Sequence, residues 1–194
     1  MVLKVGLLLF PGFSEFEVTV AISLLRASHE LVTLALEAAP MTSEAGLVCQ
    51  PQRVLAEVNP NDLEALIIPG GDMVELKDAD VLSSFVRRLD ERGVLLAAIC
   101  SGGYVLARAG ILSNRPYTVT FTQEQRTFLG CFDEQGFRYE PVITDGNVIT
   151  AQGHAFVAFG LSVARQLRGE LSEEARVFYE GRANILMEAQ ADSA

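Results

Sequence analysis

Cys100 stands where an apolar strand passes into a helix with almost no loop between them: Val94-Leu95-Leu96-Ala97-Ala98-Ile99-Cys100-Ser101-Gly102-Gly103-Tyr104-Val105-Leu106-Ala107. So sharp a turn crowds the backbone on both sides of its apex and needs small residues two before and two after it. Ala98 and Gly102 hold those places. This is the pattern of a nucleophile elbow, with sulfur in place of the commoner hydroxyl. The amino end of the helix directs partial positive charge at the sulfur and favours the thiolate. The Ser101 N–H then points at any oxyanion that forms beside it. A cysteine that merely fills buried space is the ordinary alternative. The elbow spacing argues against it for Cys100, while Cys49 and Cys131 have no such context and read as structural.

Two other segments could serve that sulfur. Ser14-Glu15-Phe16-Glu17 fits a capping box, with Phe13 and Val18 as a hydrophobic staple, which explains Glu17 without chemistry. The same helix start follows the first strand, however, so Glu17 lies at the sheet edge where Cys100 is expected. A protonated carboxyl there could hydrogen-bond the thiolate. Glu15 is offset and reads as solvated. In Pro69-Gly70-Gly71-Asp72, two glycines after a buried strand permit close backbone approach, and the Gly71 amide is a candidate second oxyanion donor. No Lys-Ser/Thr follows and no GxGxxG is present, so it is not a phosphate loop. Of the two histidines, His29 falls at the far end of the first helix and has no expected role. His154 follows a strand at the start of a helix, as a structural or solvent-facing residue or a base near the sulfur.

The elements that must hold these residues alternate. Apolar runs at Val2–Phe10, Leu31–Leu36, Ala65–Ile68 and Val94–Ile99 read as strands buried on both faces. Short strands are expected at Tyr117–Thr120 and, around the Asp145-Gly146-Asn147 turn, at Val142–Thr144 and Val148–Ala151. Helices are expected over Ser14–Ala27, Asp78–Arg92, Gly102–Ala109, Gln123–Leu129, Ala155–Leu167 and Glu173–Met187, with a small hairpin near Glu44-Ala45-Gly46. The expectation is an α/β three-layer sandwich, flavodoxin-like, with a mostly parallel sheet and helices on both faces. It is one domain, residues 1–170, with residues 171–194 as its C-terminal helix and tail. Sites in such sheets lie at the carboxyl ends of the strands, after Phe10, Ile68, Ile99 and Thr120.

Taken together, Phe10-Pro11-Gly12-Phe13-Ser14-Glu15-Phe16-Glu17, Ile68-Pro69-Gly70-Gly71 and Ala97-Ala98-Ile99-Cys100-Ser101-Gly102 resemble the ThiJ/PfpI family, also called the DJ-1 superfamily, from about Val2 to Leu167. The resemblance implies a reactive Cys100 hydrogen-bonded to a protonated Glu17, Gly71 and Ser101 amides as oxyanion donors, and a homodimer. It spans hydrolases, lyases, hydratases and redox-responsive proteins, so it does not choose among them. Many members carry a histidine in a Thr-Thr-His-type stretch. Here that stretch is Tyr117-Thr118-Val119-Thr120-Phe121, with Thr120 at the histidine's place. Threonine is no general base near neutrality, which disfavours peptidase and amidase chemistry. His154 is the only candidate substitute.

Composition bounds the rest. The chain has 194 residues, with 15 Lys+Arg against 25 Asp+Glu, a net charge of −10. That balance excludes a nucleic-acid face and a polybasic membrane surface. Hydrophobic residues at 49 % and charged ones at 21 % exclude disorder. Three widely spaced cysteines suit a reducing cytoplasm and make neither a disulfide framework nor a zinc site. The N-terminal apolar run meets Pro11-Gly12 too soon for a signal peptide, and no run spans a membrane. A small-molecule substrate is expected, with no cofactor and no metal. The function is either a cysteine-dependent hydrolase, lyase or hydratase acting on a small carbonyl, amide or isonitrile, or a redox-responsive protein whose Cys100 is oxidised.

Overall fold

The computed structural model describes residues 4–182. In chain order its elements are β1 (Lys4–Leu8), α1 (Phe16–Leu25), β2 (Glu30–Ala35), β3 (Met41–Thr42), β4 (Val48–Cys49), β5 (Arg53–Val54), β6 (Leu63–Ile68), α2 (Asp80–Asp90), β7 (Leu95–Ile99), α3 (Gly103–Arg108), α4 (Gln123–Leu129), β8 (Val142–Asp145), β9 (Val148–Ala151), α5 (Phe156–Arg168) and α6 (Glu173–Tyr179). Seven strands form one sheet in the order β5-β2-β1-β6-β7-β9-β8, parallel except for the β8–β9 hairpin. β3 and β4 make a separate two-stranded hairpin, where the Glu44-Ala45-Gly46 turn was expected.

The apolar runs occupy the centre because it is covered on both faces. Val5, Leu8, Ala65, Leu66, Ile67, Ile68, Leu96 and Ile99 are each fully buried. Burying each larger side chain contributes roughly 1.5–3 kcal/mol. The chain moves one way along the sheet through α1, from β1 to β2, and the other way through α2, from β6 to β7. Right-handed crossovers in opposite directions place the two helices on opposite faces. α1 packs against α5 on one side and α2 against α3 on the other, completing the three layers. The reversal falls between β1 and β6, and a crevice opens there at their carboxyl ends.

Two expected elements differ. Tyr117–Thr120 is not a strand of the sheet. Both edges of β9 are taken, by β7 and β8. Tyr117 instead makes an isolated bridge to Phe137, and the Thr118 N–H donates to the Thr150 hydroxyl at 3.0 Å. Arg126 pins this segment. Its guanidinium grips Glu134 through two 2.8 Å hydrogen bonds, donates to the Phe121 carbonyl and lies over the Phe137 ring. The last helix ends at Tyr179, where a hydroxyl bond to Ser23 holds it against α1. The part of it expected beyond residue 182 lies outside the described residues. Among the described residues, no helix is long and apolar enough to cross a membrane.

Candidate active site

The elbow forms as its residues require. Ile99 is extended, and Cys100 takes φ +56, a left-handed conformation that costs an L-residue about 1–2 kcal/mol. A β-carbon on Gly102 would lie 2.5 Å from the Pro69 carbonyl oxygen and 2.7 Å from that of Ile68. The residue two past the apex must therefore be glycine, because the turn presses on the end of β6.

Glu17 is 2 % exposed. Its Oε2 accepts the Gly70 N–H at 2.7 Å, and its carboxyl lies beside the Cys100 sulfur. The expected capping box is absent. Glu15 begins α1 with helical angles and no side-chain cap, and Ser14 turns its hydroxyl to Glu44 instead. With nothing drawing it back to the helix end, Glu17 points inward beneath the sulfur.

Two glycines wall this pair in. A β-carbon on Gly70 would lie 2.6 Å from Glu17 Oε2, 2.7 Å from Cys100 Cβ and 3.1 Å from its Sγ. One on Gly153 would lie 2.9 Å from Glu17 Oε1 and 3.0 Å from Sγ. Gly70 is one of the two glycines the sequence marks for close backbone approach, whereas Gly153 was not singled out. The signal was there, since each is a glycine at the carboxyl end of a central strand.

Thr120 reaches the site from the segment outside the sheet. Its backbone N–H donates to the Cys100 carbonyl at 3.4 Å, and its hydroxyl favours the charged form of the thiol. The Ser101 N–H points at the sulfur. Gly71, at φ +132, is beside it, but its N–H donates to Ser101 Oγ at 2.9 Å and its carbonyl accepts from that hydroxyl at 2.9 Å. The amide expected as a second oxyanion donor is thus already engaged, and would serve only when the Ser101 hydroxyl shares or yields it. His154 is exposed, its side chain makes no hydrogen bond or ion pair among the described residues, and it does not line the cleft. The residue that the loop after β9 sends to the sulfur is Gly153. His29 lies near Glu64, away from the site.

The cleft over the sulfur has a volume of about 540 Å³. Among the described residues its lining includes the carboxyl groups of Glu17, Glu44 and Asp72 and no cationic side chain. Burial is the main cause that pushes the Glu17 carboxyl above its usual range, against the neighbouring thiol and the Gly70 N–H. The Cys100 thiol is pushed up to about 11, first by burial and then by the Glu17 charge, against the Thr120 hydroxyl and the Ser101 N–H. This corrects the expectation of a depressed value. α3 has only six residues, so its dipole is short, and the nearest full charge is negative. Two acids this close cannot both ionise readily, so they titrate as a pair. Among the described residues no cluster of three His, Cys, Asp or Glu could hold a metal ion.

The chain is similar to known proteins along most of its length. The chain is 30 % identical to the protein DJ-1alpha of Drosophila melanogaster over 176 residues, 87 % of this chain and 79 % of that protein. It is 26 % identical to an isonitrile hydratase of Pseudomonas putida over 174 residues, 87 % and 74 % of the two chains. Among solved structures, a DJ-1 superfamily protein from Agrobacterium tumefaciens superposes with a TM-score of 0.83 at 27 % identity, covering 94 % of this chain and 98 % of the other. The model of the DJ-1/PfpI family matches residues 3–166, and the chain belongs to that family.

Proposed function

We propose that this protein is a cysteine-dependent enzyme, a lyase, hydratase or hydrolase, that adds the Cys100 sulfur to a small electrophilic carbon. The observation that carries the reading is a sulfur held at φ +56 on a tight elbow, facing a cleft with a buried carboxyl beside it. As the carbon–sulfur bond forms, the thiol proton passes to the Glu17 carboxylate. With a carbonyl substrate the π electrons move to oxygen, next to the Ser101 N–H, and the Gly71 N–H joins when the Ser101 hydroxyl releases it. Glu17 then returns the proton to that oxygen, giving a neutral adduct. With an isonitrile, sulfur adds to the terminal carbon and that same carbon takes the proton, giving a thioimidate. Water then adds to that carbon, the thiol departs, and a formamide results. The name of the Pseudomonas relative supports the isonitrile as a first substrate to try. Thr120 is not a base, and His154 has no step. The chemistry needs no cofactor. The cleft's three carboxyl groups and lack of cations among the described residues fit neutral or positively charged substrates. Exposed Phe16, Leu47 and Val48, grouped at the start of α1 and the β3–β4 hairpin, support pairing of two copies.

The test is a panel of isonitriles, α-oxoaldehydes and amides with the native protein and Cys100→Ala. Turnover confined to the native protein supports the reading, and equal turnover by both overturns it. A second reading has its own observation. Among the described residues no imidazole or amine lines the cleft, so the sulfur has no strong base beside it. Peroxide would then oxidise Cys100 to a sulfenic acid, the peroxide leaving as hydroxide, with no product formed from the panel. Intact mass after mild peroxide distinguishes the two.

A further inference from the structure

A second hollow, of about 570 Å³, lies beside the sulfur cleft. Its walls include Val119, Phe121, Gln123, Phe137, Tyr139 and Gln152. Two contacts tie it to the reactive atom. Gln152 lines this hollow, and Gly153, the next residue, lines the cleft. Thr120 also lines the hollow. Its hydroxyl accepts the Gly153 N–H at 3.0 Å, and its backbone N–H donates to the Cys100 carbonyl at 3.4 Å. A β-carbon on Gly153 would lie 3.0 Å from Cys100 Sγ. Thr120 and Gly153, both small, therefore form the divide between sulfur and hollow, and a short tail on the sulfur can cross it.

The polar groups of the hollow are already paired within the protein. Gln152 Nε2 donates to the Val119 carbonyl at 3.0 Å and to Thr118 Oγ1 at 2.6 Å, and its Oε1 accepts from the Thr120 hydroxyl at 3.1 Å. Thr122 and Gln125 hold each other in a capping box. The Arg126 guanidinium is engaged by Glu134, the Phe121 carbonyl and the Phe137 ring. Among the described residues no carboxyl group lines the hollow, whereas three line the cleft. What it offers a ligand is chiefly the Val119 side chain and the rings of Phe121, Phe137 and Tyr139.

We infer that this hollow is the subsite for the substituent of the substrate, and that the substituent is a neutral aromatic ring. The inference rests on Cys100 taking an electrophile in the cleft. It adds that the molecule has two parts, a small reactive head over the sulfur and a ring beyond Thr120. A charged or polar tail would give up water for groups whose hydrogen bonds are already made, which is unfavourable. A ring loses nothing on leaving water and meets three others edge or face on.

The test is alkylation of Cys100, the sulfur displacing iodide, read on its peptide by mass spectrometry. The quantity is the rate with N-benzyliodoacetamide over that with iodoacetamide, divided by the same ratio at glutathione. In the native protein the ring is expected to gain about tenfold, the scale of burying roughly half of it. A ratio equal to that at glutathione overturns the inference. N-(2-hydroxyethyl)iodoacetamide is expected to gain nothing, and a gain equal to that of the ring overturns the apolar assignment. Tyr139 is 78 % exposed, so its replacement leaves the core intact. In Tyr139→Ala one wall is lost and the gain should fall about threefold. An unchanged gain places the ring elsewhere and overturns the inference. Tyr139→Phe keeps the wall and should keep the gain, and a fall to the alanine level overturns the assignment to a ring. A panel without turnover leaves these ratios standing, and turnover with no gain for the ring overturns this inference alone, so the two claims fail separately.

Discussion

Replacing Gly70 by alanine asks whether the pairing of Glu17 with Cys100 depends on a missing side chain. Gly70 has no positive φ, so alanine meets no backbone strain and the effect is contact alone. The new methyl would sit 2.6 Å from Glu17 Oε2 and 2.7 Å from Cys100 Cβ, where ordinary contacts lie at 3.4–4 Å. Carboxyl and elbow must therefore separate by about 1 Å, on the scale of overpacking that costs about 1–3 kcal/mol. Reduced freedom of the unfolded chain returns roughly 0.4–1 kcal/mol of that. At about 2–4 °C per kcal/mol for a chain of this length, the unfolding midpoint should fall by a few degrees. The chemical consequence is larger. Once Glu17 is displaced, its charge no longer raises the thiol, and the value near 11 should move toward the ordinary 9.0. The assay is the alkylation rate of Cys100 by iodoacetamide against pH, read by intact mass, beside a thermal unfolding curve. Adding Glu17→Gln should lower the profile in the native background and leave it unmoved in Gly70→Ala. Native stability and a native profile in Gly70→Ala would refute the account of this wall.

Glu17→Gln on its own tests linkage. A carboxyl raised by burial stabilises the fold fully below its unfolded value of 4.5, and that contribution is lost as pH rises through the folded value. The substituted amide keeps an acceptor for the Gly70 N–H without the charge, so the variant should match or exceed the native urea midpoint at neutral pH and lose that advantage below pH 4.5. Iodoacetate should alkylate Cys100 about tenfold more slowly than iodoacetamide at low salt, beyond their intrinsic difference toward a free thiol. The carboxylates of the cleft oppose it by on the order of half a kcal/mol each. The gap should close at high salt, and no salt dependence would count against the acidic cleft. Val48→Glu places a charge on a strand residue that is 69 % exposed. Sedimentation should find the native chain dimeric and the variant shifted to monomer, with unchanged circular dichroism.

The strands were legible because a strand buried on both faces has no room for polar residues, and Ala65–Ile68 and Leu95–Ile99 have none. Cys100 was legible for a steric reason, since Ala98 and Gly102 are the small residues a tight reversal demands. Glu17 was ambiguous because Ser14-x-x-Glu17 satisfies a capping pattern locally. Only the tertiary position of Glu44, which takes the Ser14 hydroxyl, decides against it. The state of the Gly71 amide depends on Ser101, 30 residues away, and no spacing rule carries that. Tyr117–Thr120 reads as a strand by composition, but the sheet had no free edge beside β9. The loop after β9 was located correctly and its important atoms were not. His154 draws attention as an ionisable residue, whereas Gly153 acts by leaving space beside the sulfur.

The sulfur's surroundings come from α1, the loops after β6 and β9, the turn after β7 and the segment at Thr120, none complete without the others. No partly assembled chain can reproduce them. The ionisation of a single native atom is therefore a clock for the last stage of folding: during refolding the thiol should titrate as in a free peptide until the sheet has closed, and only then become reluctant to lose its proton.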